Sequence, residues 1–168
     1  SDAGGRLYYT ASINGQQMLL PSALGLKTSI GDFTRDLTTV NSQLSTVNSS
    51  YTMRGTKASK SDYKATKAVL DIENKDKQRF SIIFQVSDND IAFRYAIPRQ
   101  KWQNKEPKRL RIKSELSSFN FPDGTTTFIS PQIGPESGWE QTKPSYEEGY
   151  SADAAMDTPS QYGHGYIF

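Results

Sequence analysis

The sequence predicts an all-β protein whose antiparallel strands pack as a sandwich. The 168 residues include 9 Tyr, 8 Phe and 2 Trp, and Ser and Thr together make up about a fifth of the chain. Residues of these types favour strands and the polar faces of sheets. Short alternating segments recur about every 8–12 residues, whereas no apolar stripe at helical spacing exceeds about two turns. The composition therefore excludes a helical bundle, a coiled coil and a disordered tail.

The first predicted elements form a hairpin. Residues 6–13 are β-branched and aromatic, and they lead into Asn14-Gly15, a pair that readily adopts the positive φ angles of a two-residue hairpin turn. Residues 16–20 are predicted as the return strand. Pro21 is expected to end it, because proline donates no hydrogen bond to a ladder.

The middle of the chain carries the strongest strand signals. A Thr/Ser-rich pair is predicted at 36–47 and 51–54, followed by a strand at 63–73, a turn at 74–77 and a partner strand at 78–86. The alternation of the last segment predicts a half-buried strand. Its apolar face would carry Phe80, Ile82, Phe84 and Val86.

Further strands follow a turn at 88–90, where Asn and Asp tolerate a left-handed backbone. Residues 91–97 alternate again, and 110–116 form a further predicted strand. The last predicted strands, 119–121 and 125–129, flank the turn Pro122-Asp123-Gly124.

The character of the chain changes after residue 130. Proline and glycine punctuate a stretch without a strand period, and long segments of this kind are usually functional or packed on something else. We therefore predict a sandwich over 1–130 and an irregular arm over 131–168 that lies on a partner surface. The arm is rich in aromatic residues, Trp139, Tyr146, Tyr150, Tyr162, Tyr166 and Phe168.

The charges are unevenly distributed although the net charge is only +2. Residues 54–113 hold sixteen basic and seven acidic groups, and 114–168 hold one basic and eight acidic groups. Because the basic residues occupy alternating strand positions and turns, they indicate a solvated sheet face, and we expect no nucleic-acid partner. No apolar run approaches the length of a membrane span.

Candidate catalytic groups are scarce. The absence of cysteine excludes disulfides and thiol chemistry, and the single histidine, His164, lies between two glycines in the arm. No glycine-rich phosphate loop is followed by a predicted helix.

The acidic pair Glu147-Glu148 lies between Tyr146 and Tyr150. One interpretation is an acidic pair that faces solvent. The other is a ligand for Ca²⁺, which prefers carboxylate oxygens. Adjacent residues of an extended segment point in opposite directions, so only one of the two would coordinate the ion.

Several motifs resemble the N-terminal domain of glycoside hydrolase family 97. They are Leu-Pro-Ser-Ala-Leu-Gly-Leu at 20–26, Arg-Gly-Thr-Lys at 54–57, Ile-Ala-Phe-Arg-Tyr at 91–95, Glu-Leu-Ser-Ser-Phe at 115–119 and the Tyr-Glu arm that ends Gly-Tyr-Ile-Phe. The resemblance covers nearly the whole chain. One departure is Asn89-Asp90, where the family usually has Asp-Gly; both pairs tolerate the turn.

The resemblance implies a galactose-mutarotase-like β-super-sandwich that precedes a (β/α)₈ catalytic barrel. Family members are α-glucosidases or α-galactosidases of Bacteroidetes, located in the periplasm or at the outer membrane, and they act on α-linked oligosaccharides with an essential Ca²⁺. Their N-terminal domain lends the ion a glutamate. The matching residue here is Glu147, with Glu148 as the alternative.

A barrel of about 250 residues does not fit within this sequence, so we expect no catalytic residue in it. The isolated chain should be inactive and should bind Ca²⁺ no more tightly than millimolar. The alternative is a stand-alone carbohydrate-binding module using Trp102 or Trp139, and a third class is an aldose-epimerase-like enzyme using His164. The expected barrel contacts are Trp139, Tyr146, Tyr150, Tyr166 and Phe168.

Overall fold

The computed structural model describes residues 4–55, 57, 59–98, 110–131, 151–159 and 166–167. Their regular structure is entirely β, which confirms the predicted fold class. No helix long and apolar enough to cross a membrane occurs in these ranges. The chain divides into two compact units. The first comprises Ser1–Thr10 with Pro21–Phe119, and the second comprises Ala11–Leu20 with Asn120–Phe168.

The strands of the described residues are numbered in chain order. They are β1 (Leu7–Ile13), β2 (Gln16–Leu24), β3 (Leu26–Thr28), β4 (Asp32–Phe33), β5 (Thr38–Thr52), β6 (Lys60–Glu73), β7 (Arg79–Val86), β8 (Ile91–Ala96), β9 (Ile112–Glu115), β10 (Thr126–Pro131), β11 (Ser151–Ala155) and β12 (Tyr166–Ile167).

Two antiparallel sheets lie in the first unit. The larger has the strand order β5-β6-β7-β8, and the smaller has the order β4-β3-β9. In the larger sheet Ile72 pairs with Phe80, and Leu70, Ile82 and Tyr95 form the next row. Since paired residues point to the same side, these rows define the inner face of the sheet.

The core of the first unit joins the two sheets. Phe33 of β4 and Phe80 of β7 are 0% and 1% exposed, and their ring centroids are 4.7 Å apart. Leu24 and Ile72 belong to the same buried cluster. This face-to-face packing makes the unit a β-sandwich.

The predicted N-terminal hairpin is confirmed. Asn14 and Gly15 have φ angles of 50° and 80°, as a two-residue turn with positive φ requires. The return strand differs from the prediction because β2 continues through Pro21 to Leu24. β1 and β2 form a two-stranded sheet, so Pro21 lies in an edge strand, where a missing N–H is tolerated.

The prediction of two strands at 36–47 and 51–54 is wrong. The structure has one continuous 15-residue strand, β5, whose partner is β6. Residues 48–50 (Asn-Ser-Ser) have the composition of a turn, but their pairing with 62–64 keeps them extended. Long-range pairing overrides the local preference here. The predicted strands at 78–86 and 91–97 are confirmed as β7 and β8.

In the second unit, β10 pairs with both β11 and β12. Two short strands therefore lie within the interval 131–168, for which the sequence indicated no regular structure. β11 has the sequence Ser-Ala-Asp-Ala-Ala, which lacks apolar alternation. Its pairing with β10, rather than its own propensity, accounts for the strand.

The first prediction concerns the packing between the sheets. Phe33→Ala should lower the free energy of unfolding by about 3–5 kcal/mol, because it leaves a cavity against Phe80. Urea unfolding measures this difference. Ile112→Ala, at an exposed position, should change the stability by less than about 0.5 kcal/mol. Equal effects of the two variants would show that the Phe33 ring is not central to the core.

Candidate functional site

The predicted calcium ligands and most predicted interface residues lie outside the described residues. This applies to Glu147, Glu148, Trp139, Tyr146, Tyr150 and Phe168, and also to Trp102 and His164. Tyr166 begins β12, and its backbone pairs with Pro131 of β10. Their predicted roles therefore stay predictions.

Three of the motifs on which the family resemblance rests meet at one place in the first unit. The backbone N–H of Gly25 donates a hydrogen bond to the Tyr95 hydroxyl oxygen over 2.9 Å. The Tyr95 hydroxyl lies 2.7 Å from Ser117 Oγ, and Ser117 in turn donates to Glu115 Oε1 over 2.7 Å. We call this group, with Ser118, the motif joint.

Backbone contacts complete the motif joint. Leu116 N donates to Gly25 O over 2.9 Å, and Ser118 N donates to Ala23 O over 3.0 Å. Ala23 N donates to Ser118 Oγ over 2.8 Å, and the Tyr9 hydroxyl donates to Ser118 O over 3.0 Å. The joint thus fixes the segment around residues 115–119 against the start of β3.

Two features make the motif joint depend on its residue types. A Cβ atom at Gly25 would lie 2.9 Å from the Phe33 carbonyl oxygen and 3.2 Å from Thr34 Cα, so a side chain does not fit there. Burial raises the pKa of the Tyr95 hydroxyl, against the opposing hydrogen bond with Ser117. Tyr95 therefore remains a neutral hydroxyl that accepts and donates at the same time.

A pocket of about 420 Å³ opens beside the smaller sheet, lined by Arg6, Lys27, Asp32, Thr34 and Arg35 among others. Asp32 Oδ1 accepts hydrogen bonds from Thr34 N over 3.0 Å and Thr34 Oγ1 over 2.6 Å. The Thr34 hydroxyl is the main cause of the lowered pKa of Asp32. The carboxylate stays ionised, which suits an ion pair rather than a catalytic acid.

Two further carboxylates are held on the larger sheet. Glu73 Oε1 lies 2.9 Å from Lys77 Nζ, and Glu73 Oε2 lies 2.9 Å from Arg79 Nε. Hydrogen bonds from these two cations lower the pKa of Glu73. Asp71 accepts from Ser81 over 2.6 Å and from Asn41 over 3.0 Å, which lowers its pKa in the same way.

Sequence reasoning missed the role of Asn74, which organises the turn between β6 and β7. Its side chain donates to Asp32 O over 3.1 Å and to Gln78 Oε1 over 2.7 Å, and it accepts from the amides of Asp76 and Gln78. The composition of 74–77 predicted the turn. The long-range bond to Asp32 has no signal in the sequence.

These arrangements do not form a glycosidase centre. Glycoside hydrolysis generally uses two carboxyl groups that flank the scissile bond. In the part of the chain that the structure describes, Asp32 and Glu73 are each committed to structural hydrogen bonds and ion pairs. Among these same residues, no group of three or more acidic or histidine side chains could hold a metal ion.

The sequence model of the Glycosyl-hydrolase 97 N-terminal family matches residues 1–168. The chain belongs to this family. Its sheets and its motif joint are thus those of a Glycosyl-hydrolase 97 N-terminal domain, as the sequence motifs predicted.

Individual relatives agree with this assignment. A crystal structure of a beta-arabinopyranosidase is 42% identical with a TM-score of 0.81, covering 99% of this chain and 26% of that protein. A glycoside hydrolase family 97 enzyme from Pseudoalteromonas sp. strain K8, in complex with panose, is 18% identical with a TM-score of 0.65, covering 79% of this chain and 20% of its own. A probable retaining alpha-galactosidase from Streptomyces bingchenggensis (strain BCW-1) is 26% identical over 125 residues, which are 74% of this chain and 18% of the relative.

The second prediction tests the motif joint. Tyr95→Phe should reduce the free energy of unfolding by about 1–3 kcal/mol, because the Gly25 amide loses its acceptor. Tyr51→Phe, at a tyrosine that is 49% exposed, is the matched control and should change it by less than about 0.5 kcal/mol. Denaturant unfolding compares the two variants. A Tyr95→Phe protein as stable as wild type would contradict the structural role of the hydroxyl.

The third prediction concerns acid stability. Because folding lowers the pKa of Glu73, the stabilisation is present above the ordinary pKa of about 4 and is lost as the pH falls through the folded-state pKa. Glu73→Gln should therefore be less stable than wild type near neutral pH, and the difference should shrink in acid. Urea unfolding across a pH series measures it, with exposed Asp76→Asn in the same turn as control. A difference independent of pH would refute the assignment.

Proposed function

We propose that this chain is the non-catalytic N-terminal domain of a calcium-dependent α-glycosidase and that it packs on a (β/α)₈ catalytic barrel of the same polypeptide. The observation that carries the proposal is the family match over residues 1–168. The chain spans only 26% and 20% of the related structures. The structural commitments of Asp32 and Glu73 are consistent with chemistry located elsewhere.

The proposed substrate of the complete enzyme is an α-linked oligosaccharide. The names of the relatives support a panel of test substrates: an α-galactoside, a β-arabinopyranoside and panose. The proposed location is the periplasm or the outer membrane, where such oligosaccharides would be met. Fractionation of source cells tests that location.

Within this proposal, residues 131–168 form an arm whose glutamate reaches the calcium ion of the barrel. Glu147 is the first choice and Glu148 the alternative. Carboxylate oxygens suit Ca²⁺, but the ion takes 6–8 oxygen ligands, so the other donors must come from outside this pair. When bound, the ion supplies Lewis-acid polarisation. The aromatic residues proposed to hold the arm on the barrel are Trp139, Tyr146, Tyr150, Tyr166 and Phe168.

The fourth prediction uses the complete polypeptide. Glu147→Gln should weaken Ca²⁺ binding by about 10–100-fold and lower kcat, because an amide is a poorer ligand than a carboxylate. Glu148→Gln should be nearly silent if Glu147 is the ligand. Asp157→Asn, at an exposed position, is the matched control. Calorimetric Ca²⁺ titration and aryl-glycoside hydrolysis provide the two readouts.

The results divide the alternatives. Normal Ca²⁺ affinity in both glutamate variants would remove the arm from the metal site. Turnover of an aryl α-glycoside by the isolated 168-residue chain would contradict its assignment as non-catalytic. Measurable glycan affinity of the isolated chain, without any effect of the glutamate variants, would instead favour a carbohydrate-binding module.

A further inference from the structure

The inner face of the larger sheet carries an apolar surface beyond the core. Leu44, Ala68, Phe84 and Phe93 form one cross-strand row over all four strands, and Val86 and Ile91 pair in the next row. We call these six residues the inner-face patch. Leu44 is 73% exposed, and Val86 and Ile91 are 42% and 44% exposed. Phe84 and Phe93 are half-buried and pack against the core and Tyr9, so the exposed apolar area lies at Leu44 on one side and at Val86 and Ile91 on the other. Exposed apolar residues around a half-buried apolar row mark an interaction surface.

The strand at the border of the patch has an unusual composition. β5 is an edge strand, and among the described residues its only partner is β6. Its 15 residues include neither a charged residue nor a proline, and all but one of them are exposed. Natural proteins commonly protect a long edge strand with charges, proline or a covering segment. β5 lacks the first two protections, and its one register irregularity lies at Thr39–Asn41, so a covering segment is expected along the rest of the strand.

A two-stranded ribbon next to the patch adds positive charge to this surface. β6 extends beyond β7, so that residues 60–65 pair only with β5. This two-stranded extension and its loop carry Arg54, Lys57, Lys60 and Lys64 against the single carboxylate of Asp62. Asp62 lies 3.3 Å from Lys60, and none of the other three cations forms a salt bridge with a described residue.

We infer that the inner-face patch and the edge of β5 form a docking surface for the remaining part of the enzyme polypeptide. That part would present a surface that is apolar at its centre and acidic where it meets the ribbon. Two observations favour this occupant. About three quarters of the related structure with 42% identity lies outside the matched region, and the excess positive charge of the ribbon would be complemented by an acidic surface. The inference rests on the proposed function and concerns residues other than the predicted calcium ligands.

The test uses hydrogen–deuterium exchange of the complete polypeptide. Amides of residues 42–48 should exchange as slowly as those of the internal strands β6 and β7, since a covered edge is shielded from solvent. Leu44→Ser should accelerate their exchange about tenfold or more. Ile112→Ser replaces an apolar residue that is 54% exposed on the smaller sheet, and it should leave residues 42–48 unchanged.

Unchanged exchange around Ile72 and Phe80 in the Leu44→Ser variant shows that the sandwich remains folded. Exchange of residues 42–48 in the wild type as fast as in the exposed hairpin turn at Asn14-Gly15 would overturn the inference. Equal effects of Leu44→Ser and Ile112→Ser would also overturn it. Protection that disappears on dilution, with a matching change of mass in sedimentation, would identify a second copy of the chain as the occupant and would likewise refute it.

These outcomes are independent of catalysis. Slow exchange at β5 in a polypeptide that binds no Ca²⁺ would support the docking surface and contradict the proposed function. Rapid exchange at β5 in an active, Ca²⁺-binding enzyme would contradict the docking surface and support the proposed function.

Discussion

The packing of Phe33 on Phe80 is the constraint on which the first unit depends. A two-residue strand such as β4 forms too few hydrogen bonds to persist alone, and β3 is only one residue longer. Burial of the Phe33 ring against β7 fixes both to the larger sheet. The Asn74 side chain reinforces the same region, because its bond to Asp32 ties the β6–β7 turn to β4. Short strands are thus stabilised by contacts distant in sequence.

The motif joint gives the recognisable sequence motifs a structural role. Gly25 belongs to the motif at 20–26, Tyr95 to that at 91–95, and Ser117 to that at 115–119. Each supplies one part of a hydrogen-bonded connection between β8 and the smaller sheet. A glycine that admits no Cβ and a buried hydroxyl that both donates and accepts tolerate few replacements. The signature of the family in these segments is therefore a signature of its sandwich.

The sequence allowed some parts of the structure to be predicted and concealed others for physical reasons. β7 and β8 were predictable because apolar and polar residues alternate along them, with Phe80 and Ile82 buried and Phe93 and Tyr95 half-buried on one face. β5 has no buried face, so its Thr, Ser and Asn residues carry no alternation, and its length depends on pairing with β6. The partners of Tyr95 and Asn74 lie 70 and 42 residues away, and a hydrogen bond over such a separation leaves no local pattern.

The distribution of carboxylates indicates how such a domain can serve an enzyme. Glu73 and Asp71 are ionised and fully engaged on the larger sheet, where they hold strands and turns together. A carboxylate that holds its neighbours by ion pairs, as Glu73 does, or by hydrogen bonds, as Asp71 does, is unsuited to bind a metal ion or to transfer a proton, because either role would release those neighbours. In the proposed function the acidic residues of 131–168 would take the metal-binding role, while the carboxylates of the larger sheet keep their structural bonds.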